Sequence, residues 1–252
     1  MNIVPIPAFD DNYIWLIQQG NKVLCVDPGQ AQGVIDYLQQ HKLQLAAILV
    51  THHHGDHIGG VENLQDALGA VTVYGPGDIA VVNQAVEEGS QWQWEGLSIQ
   101  VWEVAGHTHN HVAYLIEPSH QPEALLHVFC GDTLFSAGCG RVFCGTIEQL
   151  HQSITRLQTL PPTSLFYPAH EYTASNLRFA KSVEPDNRAI DEALLASQNV
   201  PTLPVTLAHE ENINPFMRLQ SERIRHSVRE QGFSDENDLA VFASLRRLKN
   251  QF

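Results

Sequence analysis

Basic residues are scarce in the first 140 positions. Lys22 and Lys42 stand there against fifteen carboxylates, a net of −13. Polyanion binding needs clustered cations, so this stretch is a poor match for nucleic acid or an anionic membrane. Residues 141–252 carry twelve basic and thirteen acidic side chains, and cations for an anionic ligand must come almost wholly from them. Long apolar runs are missing too. Met1-Asn2-Ile3-Val4-Pro5 has no basic segment and no hydrophobic stretch, so neither a signal peptide nor a membrane span is expected. Cysteine is sparse. Cys25, Cys130, Cys139 and Cys144 form no C-x-x-C pair and no regular frame, which fits a cytoplasmic chain with reduced thiols. Cys25 and Cys130 lie in apolar strand patterns. Cys139 and Cys144 read as small buried loop residues rather than soft metal ligands. No internal repeat and no low-complexity tract is found.

Histidine, by contrast, is concentrated. Thr51-His52-His53-His54-Gly55-Asp56-His57 packs four imidazoles and a carboxylate into seven residues. All of these side chains bind divalent metals, and packed together they repel once protonated. The apolar run Ala46–Val50 before them reads as a buried strand, and the pattern from Val61 to Leu68 after Gly59-Gly60 as a helix. The ligands therefore occupy a turn between strand and helix. One ion cannot easily use all of them from so tight a turn, so two neighbouring ions are expected.

Strands are expected at 3–9, 13–17, 23–26, 71–74, 97–104, 111–116, 125–130 and 164–167, with helices around 34–38, 61–68, 78–88 and 147–160. Three more strand ends open into candidate ligands: Gly106-His107-Thr108, Gly131-Asp132-Thr133 and Pro168-Ala169-His170. A sheet edge that carries functional loops is how such sites are usually built. From Glu171 onward no strand is expected. Helical patterns run at 172–182, 187–198, 216–230 and 236–249, with loops at 200–206 and 211–215, and a domain boundary falls near 168.

Through His52, His54, Asp56 and His57 the chain resembles the metallo-β-lactamase superfamily, whose motif is H-x-H-x-D-H. A finer resemblance is to the glyoxalase II, or hydroxyacylglutathione hydrolase, family. It is carried by Phe9-Asp10-Asp11-Asn12-Tyr13, Gly106-His107-Thr108, Gly131-Asp132-Thr133-Leu134-Phe135 and Gly138-Cys139-Gly140-Arg141. Ala169-His170-Glu171-Tyr172-Thr173, Asn214-Pro215-Phe216-Met217-Arg218 and Arg246-Arg247-Leu248-Lys249-Asn250-Gln251-Phe252 extend it over nearly the whole chain. Gly55 stands where the family often has a bulky residue, Asn110 where it usually has glycine, and Phe143 where some relatives have a tyrosine that touches glutathione.

The resemblance implies an α+β fold: a four-layer αββα catalytic domain over residues 1–168, then a small all-helical glutathione-binding domain over 169–252. It implies two divalent ions per chain, with zinc expected and iron or manganese also suited to the ligands. His52, His54 and His107 are assigned to one ion and Asp56, His57 and His170 to the other, with Asp132 bridging; His53, His109 and His111 are outer groups. The implied reaction hydrolyses S-D-lactoylglutathione, and related S-(2-hydroxyacyl)glutathiones, to glutathione and D-lactate, the second step of methylglyoxal detoxification. A hydroxide between the ions, available because bound water is acidified towards roughly pKa 7, attacks the carbonyl and is held by the catalytic Asp56 and Asp132. No acyl-enzyme is expected.

Arg141, Phe143, Tyr172, Arg246 and Lys249 match the family's glutathione contacts. Arg246 and Lys249 stand i, i+3 on one face of the last helix, with Leu245 and Leu248 to anchor it. A monomer without nucleic-acid or membrane partners is expected. Persulfide dioxygenase looks similar but lacks the full helical tail after residue 170. Lactonases and β-lactamases share the metal motif without needing a basic C-terminus, and a non-catalytic metal scaffold would not need the intact ligand set.

Overall fold

A computed structural model describes residues 1–119 and 124–252. The chain packs into two units: Met1–Glu103 with Asn110–Gly131, and Val104–His109 with Asp132–Phe252. The expected boundary at 168/169 falls inside the second unit.

Among its described residues the first unit holds ten strands and three helices: β1 (Asn2–Ala8), β2 (Asn12–Gln19), β3 (Lys22–Val26), α1 (Gln32–His41), β4 (Gln44–Leu49), α2 (Gly55–Ile58), α3 (Val61–Leu68), β5 (Thr72–Gly75), β6 (Gln84–Ala85), β7 (Gln91–Trp94), β8 (Leu97–Glu103), β9 (Val112–Pro118) and β10 (His127–Gly131). One sheet runs β1 to β6 in order, antiparallel through β3 and parallel from there. The crossover from β3 to β4 passes through α1 and that from β4 to β5 through α3. Strands β7 to β10 pair antiparallel in sequence.

Six successive residues of β2, Asn12–Ile17, are buried, so this strand is covered on both faces. Ile14 and Leu16 pack with Val34 and Leu38 of α1 and Val61 and Leu64 of α3. The two sheets meet where Tyr74 stacks on Trp92 at 4.5 Å and the Tyr114 hydroxyl donates to the Val50 carbonyl at 2.9 Å. A buried tyrosine needs such a partner for its hydroxyl.

The second unit begins with the hairpin β11 (Leu134–Phe135) and β12 (Gly138–Cys139). It continues through α4 (Ile147–Leu157), β13 (Leu165–Pro168), α5 (Thr173–Val183), α6 (Arg188–Ala196), β14 (Val205–Thr206), α7 (Leu207–Ile213), a 3₁₀ turn (Pro215–Met217), α8 (Glu222–Glu230) and α9 (Asp238–Gln251). Helix starts follow capping chemistry: Thr146 and Gln149 form a capping box on α4, and Asn187, Thr206, Ser221 and Asn237 cap α6, α7, α8 and α9. Phe216 lies between Phe179 and Phe242, at 6.3 and 5.3 Å between ring centroids. Buried Glu184 at the end of α5 takes both forks of Arg218 (3.0 and 2.9 Å), the Ser221 hydroxyl and the Asn187 amide, tying α5, α6 and α8 together.

Several elements depart from expectation. Residues 78–88 form turns and the short β6 rather than a helix, because Asn83 binds the backbone of Val73 and Val71 instead of helical neighbours. The helix expected at 216–230 starts at Glu222, because Asn214 caps the 3₁₀ turn and Ser221 opens a new helix. The C-terminal region is helical as expected, apart from β14, which pairs Val205–Thr206 with Leu165–Phe166. Two residues are too few to show an alternating pattern, and α7 directly behind them was not anticipated either. No helix among the described residues is long and apolar enough to cross a membrane.

Candidate metal centre and substrate loops

In the first unit, β4 ends at Leu49 and buried Val50 and Thr51 lead into the histidine turn. Asp27, just past β3, shapes that turn. Its Oδ1 accepts from the Thr51 amide at 2.7 Å and its Oδ2 from the Thr51 hydroxyl at 2.7 Å. The same Oδ2 lies 3.0 Å from His57 Nδ1. A buried carboxylate is costly unless hydrogen-bonded, and here three donors meet it. With its proton on Nδ1, His57 is left with Nε2 as a lone-pair donor. The loop behind Asp27 comes very close: a Cβ on Gly29 would sit 1.9 Å from the Asp56 carbonyl oxygen, so only glycine fits.

His52 Nδ1 lies 3.0 Å from the Thr51 hydroxyl, which directs its Nε2 to His54 Nδ1, 3.1 Å away. Two nitrogens sharing a tetrahedral zinc, each about 2.0–2.1 Å from it, stand roughly 3.3 Å apart, so this pair suits a cation. His57 Nε2 lies 3.4 Å from Asp56 Oδ2, which also accepts from Asn12 Nδ2 at 3.1 Å. The four motif residues thus sort into the pairs His52/His54 and Asp56/His57. His111 is buried and stacks on His52 at 4.5 Å, whereas His53 is exposed.

In the second unit, His107 Nδ1 lies 2.8 Å from the Arg141 carbonyl, to which it donates, so that Nε2 carries the ring's lone pair. That Nε2 is 3.5 Å from Asp132 Oδ2, and His170 Nε2 is 3.4 Å from Asp132 Oδ1. One carboxylate oxygen therefore goes to each imidazole, as a bridging carboxylate requires. Tyr172 stacks on His170 at 4.7 Å, and Phe135 lies edge-on to both rings. Phe143 is largely exposed and sets its edge against His107 at 5.2 Å.

The hairpin between Asp132 and Arg141 hangs from buried side chains. Glu210 accepts from the Ser136 hydroxyl, the Ala137 amide and Asn214 Nδ2, at 2.8, 2.8 and 2.9 Å. Asn176 donates to the Ser136 carbonyl, and Asn214 also donates to the carbonyls of Phe135 and Gly138. Burial pushes the Glu210 carboxyl up to about 7. Arg246 is buried. Its Nη1 donates to the Cys139 and Gly140 carbonyls at 2.7 and 3.3 Å and its Nε to Asn250, while its guanidinium lies over Phe216. Expected to receive a glutathione carboxylate, it also holds the loop that leads to Arg141. Lys249 is half-buried over the rings of Phe179 and Phe252; burial first, then the charges of Arg246, Arg178 and Arg141, bring its ammonium down to about 8.

Cys139 is buried, as expected, and burial pushes its thiol up to about 11; Cys144 is exposed, contrary to expectation. Asp27, Asn176 and Glu210 escaped sequence reasoning. Only Asp27, next to a Pro-Gly turn, carried a local signal, and that signal reads as a turn.

Two family models match the chain: "Metallo-beta-lactamase superfamily" over residues 8–125 and "Hydroxyacylglutathione hydrolase C-terminus" over residues 171–252. The hydroxyacylglutathione hydrolase of Neisseria meningitidis serogroup A is 49% identical over 253 residues, covering 100% of both chains. That of Chromohalobacter salexigens is 45% identical over 261 residues, again covering 100% of both. Among solved structures, ETHE1 from Myxococcus xanthus aligns with a TM-score of 0.65 and 25% identity over 99% of this chain and 98% of that one. The BLEG-1 B3 metallo-β-lactamase aligns with a TM-score of 0.64 and 19% identity, over 86% and 99%, which bears on the fold. With its histidine turn, its second unit carrying His107, Asp132 and His170, and both family models along one chain, this protein has the metallo-β-lactamase fold and belongs to the hydroxyacylglutathione hydrolase, or glyoxalase II, family.

Proposed function

We propose that the protein hydrolyses S-(2-hydroxyacyl)glutathiones, S-D-lactoylglutathione foremost, to glutathione and the 2-hydroxy acid, in the cytoplasm and as a step of methylglyoxal removal. The observation that carries this reading is Asp132, which offers one oxygen to His107 and the other to His170. The described residues include two donor sets suited to a metal: His52, His54, His107 and Asp132, and Asp56, His57 and His170. We assign one divalent ion to each, with Asp132 shared. Five imidazoles and two carboxylates, without a thiolate, suit zinc, and iron or manganese would also be accommodated. When bound, the two ions acidify water at neutral pH and polarise a carbonyl.

The chain's own residues do the rest. Asp27 fixes the His57 tautomer and the Arg141 carbonyl fixes that of His107, so both keep Nε2 deprotonated. Asp56, held by Asn12, accepts the hydrogen of the attacking water. Water oxygen bonds to the thioester carbon, the C–S bond breaks, and glutathione leaves as a thiolate that needs no strong general acid. Arg141, Tyr172 and Lys249 hold the glutathione part. Phe143 adds only ring surface there, since it lacks a hydroxyl. Arg246 serves the same contact from beneath, through the loop of Arg141. We take the chain to act as a monomer.

The test is loss of thioester absorbance with S-D-lactoylglutathione, run beside oxygen uptake on glutathione persulfide and elemental analysis of the metals. Thioester turnover without oxygen uptake supports the reading; oxygen uptake without thioester turnover overturns it. Trapping a covalent acyl-enzyme on rapid quenching would overturn the mechanism alone.

A further inference from the structure

Asn214 opens the segment Asn214-Pro215-Phe216-Met217-Arg218, and the proposed reaction makes no use of it. The asparagine is fully buried just past α7, four residues after Glu210. Its Oδ1 accepts from the Phe216 amide at 3.1 Å, which fixes the direction of its NH₂. That NH₂ reaches the Phe135 carbonyl at 3.3 Å, the Gly138 carbonyl at 3.0 Å and Glu210 Oε2 at 2.9 Å. Phe135 and Gly138 face each other across the hairpin β11–β12. One amide therefore ties both strands together at the turn.

A hairpin of two-residue strands cannot hold its own shape. Here buried side chains impose it. The carbonyls of Phe135 and Gly138 accept from Asn214, that of Ser136 from Asn176, and those of Cys139 and Gly140 from Arg246. Glu210 takes the Ser136 hydroxyl and the Ala137 amide. Ala137 is held at a φ of 56°, a left-handed backbone that alanine rarely adopts. No cation pairs with Glu210 among the described residues, and a buried carboxylate without one is less stable than a well-packed apolar side chain. A cage built at the expense of stability points to a demand for position.

What the hairpin positions lies at its two ends. Asp132 precedes it, and Gly140 follows it, donating to the Thr133 carbonyl at 3.2 Å. A Cβ on Gly140 would lie 2.0 Å from the Asp132 carbonyl oxygen and 3.1 Å from His107 Nδ1. The returning strand thus rests on the Asp132 peptide and on the His107 ring. One residue later, the Arg141 carbonyl takes the His107 Nδ1 proton. A shift of the hairpin moves the carboxylate and the imidazole together.

We propose that Asn214 is a positioning residue: through the hairpin β11–β12 it fixes the Asp132 carboxylate and the His107 imidazole, so that two divalent ions bind as a pair. This rests on the two-ion reading of the site, and the experiment separates the two. Zinc is titrated by calorimetry into the metal-free wild type, N214S and S221A, beside melting temperatures and kcat at saturating zinc. N214S keeps an oxygen for the Phe216 amide, because serine caps well, but has no NH₂ for the hairpin. S221A removes the cap of α8 and a bond to Glu184, a loss of stability away from the hairpin. N214S binds the weaker of the two ions about ten- to a hundredfold less tightly, the usual effect of losing an outer partner, and kcat falls with it. S221A melts lower too, yet binds both ions within about twofold of wild type. N176A, which removes only the donor to the Ser136 carbonyl, is the milder second variant and loses about three- to tenfold if N214S is not recovered folded.

Two ions bound by N214S with wild-type affinity overturn the proposal, as does an equal loss of zinc affinity in S221A. With N214S unfolded, wild-type zinc affinity in N176A overturns it as well. A wild type that takes a single ion sinks the two-ion reading instead. In that case a weakened ion in N214S, unmatched in S221A, still assigns Asn214 its positioning role, and equal affinities refute it.

Discussion

Replacing Asp27 with asparagine keeps the side chain's size and removes one acceptor oxygen. In the native turn three donors converge on two oxygens: the Thr51 amide on Oδ1, and the Thr51 hydroxyl and His57 Nδ1 on Oδ2. If the asparagine oxygen faces the Thr51 amide, its NH₂ faces His57 Nδ1. The imidazole must then accept rather than donate, and its proton moves to Nε2, the atom needed as a metal ligand. If the amide is flipped, the NH₂ meets the Thr51 N–H, and a buried donor is left unsatisfied at a cost of about 1–3 kcal/mol. In the first arrangement, affinity at the ion of His57 should fall about 10- to 100-fold, the usual cost of removing such an outer partner, or roughly 1.4–2.8 kcal/mol. The check is metal titration of D27N and wild type by equilibrium dialysis, with thermal unfolding of each metal-free protein. The flipped alternative predicts a melting point lower by about 2–4 °C per kcal/mol at this chain length. D27N that binds two ions with wild-type affinity, turns over normally and melts like wild type would refute the reasoning.

Three further outcomes are expected. Chelation should abolish thioesterase activity and lower the melting temperature, and adding back zinc, iron or manganese should restore both in proportion to occupancy, as ligand linkage requires. Lys249, brought down to about 8, loses its charge as pH rises through that value, so KM for S-D-lactoylglutathione should climb above about pH 8 in wild type and stay flat in K249M. Glu210, raised from 4.5 to about 7 by burial, holds its proton more tightly folded than unfolded. Its contribution to stability is complete below about pH 4.5 and is lost as pH rises to about 7. Urea midpoints should show wild type losing on the order of 3 kcal/mol more than E210Q over that window, and parallel curves would sink the claim.

The candidate ligands could be picked out because each lies at a strand end within a few residues of a recognisable pattern. His52 to His57 form one turn, and His107, Asp132 and His170 each follow an apolar run. What orients them was not legible. Asp27 acts on Thr51 and His57, 24 and 30 residues further on, and Glu210 acts on Ser136 and Ala137 from more than 70 residues away. No local spacing encodes such pairings. The two-residue strands β6, β11, β12 and β14 are too short for any periodicity to register. In the stretch 78–88, a single asparagine side chain diverts the backbone from helix.

Arg246 shows how a family resemblance can name a residue and leave part of its work unseen. The resemblance made it and Lys249, i, i+3 on α9, two cations facing one ligand, so truncating either should raise KM with metal content unchanged. In the fold Arg246 is buried and bonds two carbonyls of the loop that leads to Arg141, a planar fork reaching Cys139, Gly140 and Asn250 together. R246K separates the two roles. A lysine keeps the charge but cannot reproduce that fork, so at least one buried carbonyl loses its donor, at about 1–3 kcal/mol. Because the Arg141 carbonyl in turn orients His107, the loss should reach the ligand set as well as the substrate. R246K should therefore melt several degrees lower, bind metal less tightly and show a reduced kcat together with a raised KM. K249M should raise KM with melting point and metal content near wild type. An R246K enzyme with normal stability, normal metal content and only a modest rise in KM would leave Arg246 the role of a substrate cation alone.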